Sequence, residues 1–246
     1  MDGRALGLVT WNVWFDRRER SRRRRALWRE IEALDPDVIC LQEATPEHVE
    51  GPEVAAARAR GYWISDAALV DYDVVTLARL PARERVRVPL PSMMGRSLLV
   101  TRLAVDPPLT IATVHLESTA AMTELRVRQL ELICEALADE PCVALVGDMN
   151  FPPGDRPEAA PLVGWRDAWA ELRPDEPGYT VDSHVNEMRF VSTGRHKQVR
   201  IDRVFLRGDG WRVASIERLG VTALPDDPLT FPSDHFGLYA ELQPTR

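Results

Sequence analysis

Five apolar runs in this chain border polar clusters of one chemical kind. The clusters are Thr10-Trp11-Asn12, Leu41-Gln42-Glu43, His115-Leu116-Glu117-Ser118, Gly147-Asp148-Met149-Asn150 and Ser233-Asp234-His235, the last backed by Ile201-Asp202-Arg203. An apolar run of roughly four to eight residues has the length of a buried strand. Asn12, Glu43, His115, Asp148, Asn150, Asp202 and His235 therefore fall at the ends of separate strands. Strand ends that converge are where a hydrolytic site can be built, and this arrangement demands a sheet-based fold.

The rest of the chain fits that demand. Residues 5–11, 38–41 and 142–146 read as buried strands, and short Val-, Leu-, Ile- and Thr-rich runs at 72–78, 85–90, 97–105 and 109–115 read as meandering antiparallel ones. Further strands are expected at 200–206, 211–220 and 236–242. Helical spacing predicts helices over 17–34, 119–137 and, more briefly, 165–172. Thr45-Pro46-Glu47 reads as an N-cap followed by Pro at the first helical position, opening a short helix that ends near Gly61. Residues 151–164 read as a Pro- and Gly-rich loop, and 173–198 as irregular and polar. Strand-rich halves with a few helices predict two sheets face to face with helices outside. The 246 residues show no linker and no repeat, so one domain over 1–246 is expected. No Gly-rich phosphate loop follows a strand, which excludes Rossmann and P-loop readings.

Bulk properties narrow the functional classes. Hydrophobic residues make up 45% and charged residues 28%, so the chain is neither disordered nor membrane-spanning. The net charge of −7 repels polyanions, so nucleic acid would need a local basic patch. Cys40, Cys134 and Cys142 lie in apolar runs without metal or disulfide spacing, and the start Met1-Asp2-Gly3-Arg4 lacks a leader pattern. A reduced, cytoplasmic protein is expected, most simply a monomer.

Each cluster has a functional and a plain structural reading. Asp148 and Asn150 lie two apart and can face one site. There an aspartate serves as base or metal ligand, and an asparagine amide donates to phosphoryl oxygen; alternatively they cap a glycine turn. Glu43 suits Mg²⁺, which prefers oxygen ligands, or simply faces solvent before a helix. Asp234-His235 can carry a proton or hold phosphate, with Asp202 orienting the imidazole, or can form a capped turn. His115 ends a strand, and Ser118 can cap the next helix. Without a His pair or Cys cluster, zinc is disfavoured; carboxylates and amides favour Mg²⁺ or Mn²⁺ and a phosphorylated substrate. Glu43 and Asp148 are the carboxylates this chemistry nominates for a metal.

In this order the motifs resemble those of the endonuclease/exonuclease/phosphatase superfamily, which includes the DNase I-like nucleases. Within it the chain is most similar to the type 2 tyrosyl-DNA phosphodiesterases: His115-Leu116-Glu117-Ser118-Thr119 resembles their HLEST, Tyr179-Thr180-Val181-Asp182-Ser183 their YTWDT, and Arg200 to Arg207 their RFDRIFFR. The resemblance implies an α+β fold, a four-layer αββα sandwich of two mostly antiparallel sheets flanked by helices. It implies Glu43 as the main Mg²⁺ ligand with Asn12 close by, and Asp148 activating water. With this resemblance Asn12 and Asp234 join Glu43 and Asp148 in the candidate metal set. Asn150 and His235 would hold phosphoryl oxygens, Asp202 would orient His235, and His115 would touch the phosphate or leaving group. Two positions depart from the group. Pro152 stands where it has Arg, and Val181 where it has Trp; in that group both residues contact the nucleic-acid strand.

Ser118, Trp14, Arg96 and Tyr179 are the candidate substrate contacts. The run Arg17, Arg18, Arg20, Arg22, Arg23, Arg24, Arg25 is either a phosphate-binding patch or a solvated helix face. The leading expectation is a Mg²⁺-dependent phosphodiesterase acting on DNA ends or single-stranded DNA. A phosphatase or phosphodiesterase for a small-molecule or lipid ester is the alternative, and a silent binding scaffold the third.

Overall fold

The computed structural model describes residues 4–65, 69 and 71–245. Met1-Asp2-Gly3, used above in the argument against a leader, lies outside them. In chain order the elements are β1 (Leu6–Asn12), α1 (Arg20–Leu34), β2 (Val38–Ala44), α2 (Pro46–Glu50), α3 (Pro52–Ala59), β3 (Trp63–Ile64), β4 (Asp73–Ala78), β5 (Ala82–Pro89), β6 (Ser97–Leu103) and β7 (Leu109–His115). There follow α4 (Thr123–Ala136), β8 (Val143–Asp148), β9 (Arg166–Asp167), α5 (Ala168–Leu172), β10 (Val181–Asp182), α6 (Met188–Thr193), β11 (Gln198–Val199), β12 (Asp202–Arg207), β13 (Trp211–Leu219) and β14 (Gly237–Pro244).

Two six-stranded sheets result, ordered β13-β14-β1-β2-β4-β3 and β5-β6-β7-β8-β12-β9. Both are mixed. Each has one parallel pair at its centre, β1 with β2 and β7 with β8, and is otherwise antiparallel. A parallel pair needs a crossover, and α1 and α4 supply them.

Side-chain parity explains the four layers. Leu6, Leu8, Val38, Cys40, Ile111, Ala144 and Val146 point between the sheets and form the central core. Their neighbours Val9, Trp11, Ile39 and Leu41 point outward and are covered by Leu27, Trp28 and Ile31 of α1. Ala112, Val114, Val143 and Leu145 are covered in the same way by Leu130 and Ile133 of α4 and by Leu137 at its C-cap. Strands apolar on both faces are buried on both faces, so the continuous apolar runs of the sequence encode an inner pair of layers.

Several local expectations are revised. The second helix is two, because Pro52 lacks the N–H that would continue α2 through Gly51. The segment 119–137 opens with a 3₁₀ turn at Ala120–Met122 and becomes α-helical at Thr123. Residues 165–172 are the short β9 followed by α5, whose start Asp167 caps by accepting from the Trp169 and Ala170 N–H groups. The irregular, polar segment 173–198 carries short elements of its own: β10 and β11 pair around α6.

The arginine run divides: Arg17, Arg18 and Arg25 are exposed, as a solvated face expects, while the others are engaged by the fold. Arg23 is buried, its guanidinium donating to the carbonyls of Val13, Trp14, Asp16 and Arg18. Arg20 donates to the carbonyls of Phe15 and Asp16 and to Glu47. Arg22 pairs with Asp226 at 3.0 Å, and Arg24 with Glu53 at 2.9 Å. Arg20 and Arg23 clamp the loop leaving β1 onto α1, and Arg24 ties α1 to α3.

Candidate active site

The inward parity of the core strands carries on to their ends. Continuing Leu6, Leu8 brings Asn12 inward; Ile111 leads to His115, Val146 to Asp148, and Asp202 pairs directly with Asp148 across the β8–β12 ladder. His115 lies opposite Asp148 in the parallel β7–β8 register. Glu43 breaks parity. The β2–β4 register shifts between Leu41 and Ala44, and Glu43 has φ 57°. A bulge of this kind re-aims a side chain. Gly147, at φ 136°, permits the β8 end to pack against β7, since a Cβ there would lie 1.9 Å from the Val114 carbonyl oxygen.

The cleft so formed has a volume of about 650 Å³, and its walls include Trp14, Glu43, His115, Ser118, Asp148, Asn150, Asp234 and His235. Asp148 is the hub. Its Oδ2 lies 3.1 Å from Asn12 Nδ2, 3.4 Å from His115 Nε2 and 4.0 Å from His235 Nδ1. Its Oδ1 accepts the Asn150 N–H at 2.9 Å. Asn12 Nδ2 also lies 3.2 Å from Glu43 Oε1, and Glu43 Oε2 accepts the Phe15 N–H at 3.0 Å. His235 Nδ1 is 2.8 Å from Asp202 Oδ2.

The framework beneath is equally specific. Trp11, fully buried, donates its indole N–H to the His235 carbonyl, and Ser233 donates its hydroxyl to the Asn12 carbonyl. Thr180 Oγ1 accepts the N–H groups of both Ile201 and Asp202. The Tyr179-Thr180 segment is therefore a brace for Asp202. Tyr179 itself stands outside the cleft lining, its carbonyl taking Arg218.

The electrostatics separate the groups. Burial, then the charge of Asp202, pushes Asp148 above the usual carboxylate range. Burial, then the charge of Asp234, raises Glu43. His115 is driven well below the ordinary histidine value by burial and by Arg96. His235 goes the other way: burial opposes its charge, but Asp202, Asp234 and Asp148 together outweigh burial and hold it protonated.

Beside Tyr179, two further expectations need correcting. Arg96 does not line the cleft; it is buried behind His115, donating to His115 Nδ1 at 3.0 Å and Ser118 Oγ at 3.1 Å. The Asn150 amide donates to the Leu116 carbonyl at 3.0 Å and to Ser118 Oγ at 3.4 Å, so its N–H groups are engaged within the wall. Trp14 and Ser118 line the cleft. Cationic lining residues escaped the sequence reading: Arg126, Arg156, Arg189 and Lys197. The recurrence of Arg189, Arg195 and Lys197 through a polar segment was the available signal. Trp14, Glu43, Thr119 and Asn150, all in the wall, have positive φ. Such backbone costs about 1–3 kcal/mol per residue and concentrates at functional sites.

Asp148, Asp202 and His235 offer ligand atoms within 4.8 Å of one another and form a possible metal-binding group. A cationic His235 hydrogen-bonded to Asp202 is poorly suited to ligation, which needs a neutral imidazole. Glu43 and Asp234 are better suited: the Asp234 charge disfavours ionised Glu43, a repulsion a cation would relieve, and Asp234 Oδ1 is buried without a partner while its Oδ2 lies 3.4 Å from Arg189.

The fold and this carboxylate-rich seam define the class: the chain belongs to the Endonuclease/Exonuclease/phosphatase family, whose pattern it matches over residues 9–235, and is a metal-dependent phosphodiester hydrolase. Among its relatives are the tyrosyl-DNA phosphodiesterases 2 of Gallus gallus, 30% identical over 95% of this chain, and of Homo sapiens, 28% identical over 98%. The chain spans 66% and 69% of those proteins. The crystal structure of D. rerio TDP2 complexed with single strand DNA product matches with a TM-score of 0.85 and 25% identity, over 97% of this chain and 98% of that one. Among the described residues no helix is long and apolar enough to cross a membrane.

Proposed function

We propose that this chain, acting as a single domain, hydrolyses DNA phosphodiesters at 5′-tyrosyl ends or in single strands. The observation that carries this is Asp148 Oδ2 flanked by Asn12 and His115, with the His235–Asp202 pair beside it. A raised carboxylate works nearer neutral pH as a base. Asp148 takes a proton from water as the water oxygen bonds to phosphorus in line with the scissile P–O bond. That bond breaks, and its electron pair leaves on the tyrosyl or sugar oxygen. The cationic His235, held by Asp202, and His115 beside Asp148 stabilise charge gathering on the phosphoryl oxygens.

Mg²⁺ or Mn²⁺ would be held by Glu43 with Asn12 beside it and Asp234 nearby. Bound there, such an ion supplies Lewis-acid neutralisation of phosphate charge. Its oxygen-rich ligand set fits a hard cation. Arg156, Arg189 and Lys197 give the acidic chain the local positive rim that a polyanion needs, and compensate for Pro152. The free cysteines Cys40, Cys134 and Cys142 support a reducing, cytoplasmic setting, and we take the protein to be a monomer.

The test is a panel of 5′-tyrosyl-DNA, plain single- and double-stranded DNA and bis-p-nitrophenyl phosphate, each with Mg²⁺ or EDTA. Turnover should vanish in EDTA and fall at least about 10³-fold in Asp148→Asn. Metal-independent turnover, or an active Asp148→Asn variant, overturns the mechanism. Activity on the small diester but on no DNA transfers the site to small-molecule esters.

A further inference from the structure

Arg96 is buried, and every polar atom of its guanidinium is a donor. Its Nη1 lies 3.0 Å from His115 Nδ1. That nitrogen can then only accept, so the ring is neutral and its proton sits on Nε2. Nε2 faces the cleft, 3.4 Å from Asp148 Oδ2. His235 is held in the reverse sense, its Nδ1 on the Asp202 carboxylate at 2.8 Å.

The contacts behind Arg96 fix where the guanidinium can be. The Arg96 N–H donates to Ser92 Oγ at 3.0 Å, and that hydroxyl donates to Glu117 Oε2 at 2.6 Å. Glu117 Oε1 accepts the Met93 N–H at 3.1 Å. Glu117 is fully buried and two residues beyond His115, so the carboxylate ties the loop carrying Arg96 back to the strand end carrying the histidine. On the other side Arg96 Nη2 reaches Ser118 Oγ at 3.1 Å.

We propose that Arg96 is a positioning residue that locks His115 as its Nε2–H tautomer, making that histidine a permanent donor into the cleft and never a proton acceptor there. Glu117, through Ser92, holds Arg96 in place. The tautomer follows from the donor geometry alone; its effect on turnover rests on the hydrolytic reading above.

The experiment is ¹⁵N NMR of the imidazole rings in the full chain, with His115→Gln used only to assign the His115 signals. Wild type should show a protonated Nε2 and an unprotonated Nδ1 for His115. Arg96→Met should release the ring to a mixed or Nδ1–H tautomer and lower kcat on bis-p-nitrophenyl phosphate about 10–100-fold with little change in KM. Arg96→Lys, which restores a donor, should recover the Nε2–H form and most of kcat. An Nδ1–H or doubly protonated His115 in wild type overturns the proposal, a result that requires no variant to fold. So does an Arg96→Met variant that keeps both tautomer and turnover. Absence of turnover in wild type, with the Nε2–H form present, counts against the hydrolytic reading and leaves the tautomer lock standing.

Discussion

On the β7 side of the cleft His115 sits against the guanidinium of Arg96; on the β14 side His235 sits against the carboxylate of Asp202. Both rings are buried and both approach the same oxygen of Asp148. Burial opposes charge on each, yet one is driven neutral and the other held cationic. Burial alone therefore does not set the protonation of a histidine here. The sign of the neighbouring fixed charge decides whether burial is reinforced, as by Arg96 at His115, or outweighed, as by Asp202 and its fellow carboxylates at His235.

The contrast breaks most directly at Asp202. Asp202→Asn removes the anion that holds His235 charged while keeping its shape. We expect kcat to fall about 10²–10³-fold, the scale of losing one charge-stabilising donor. Unchanged kcat on bis-p-nitrophenyl phosphate would erase the distinction between the two walls.

A third buried histidine sharpens the comparison away from the chemistry. His48 accepts the Thr45 N–H at 3.3 Å and so closes the start of α2. Burial, helped by Arg24, Arg23 and Arg20, lowers it to about 3. Because the unfolded chain binds this proton near pH 6.5, the stability tied to a neutral His48 is complete above that pH. It is lost as the pH falls from there toward 3. At pH 5 the loss is about 2 kcal/mol. Urea unfolding of His48→Asn, which keeps an acceptor but cannot be protonated, should show a flatter pH dependence than wild type. Parallel curves would show that His48 carries none of the slope.

The smallest effect concerns the strained wall beside His115. Thr119, at φ 73° and ψ 150°, occupies backbone space suited to glycine. Thr119→Gly should raise stability by about 1 kcal/mol in urea unfolding while lowering turnover, since the released strain helps place Ser118. A loss of stability would mean that the Thr119 side chain does more there than its backbone costs.

Much of this site was legible because the strands are regular. In β1, β7 and β8, period-two parity leads from the apolar core residues straight to Asn12, His115 and Asp148, and the ladder adds Asp202. Glu43 was recognisable as a residue type at a strand end, but its direction depends on a bulge that no local pattern announces. Tyr179 followed from a motif and proved to belong to a brace, because Thr180 beside it carries the hydrogen bonds. Arg96 was placed against the substrate and stands behind a histidine instead. The cationic rim around α6 went unread because a helix of six residues leaves little periodicity.

The sequence by itself determined the layers, the strand ends and the kinds of chemistry at them, since burial on both faces and strand periodicity are local properties of an apolar run. Only the tertiary structure decided which cleft histidine is driven neutral and which is held cationic, and which arginines face the cleft rather than the fold. Those depend on charges brought within a few ångströms from far along the chain, as Asp202 is to His235 and Arg96 to His115.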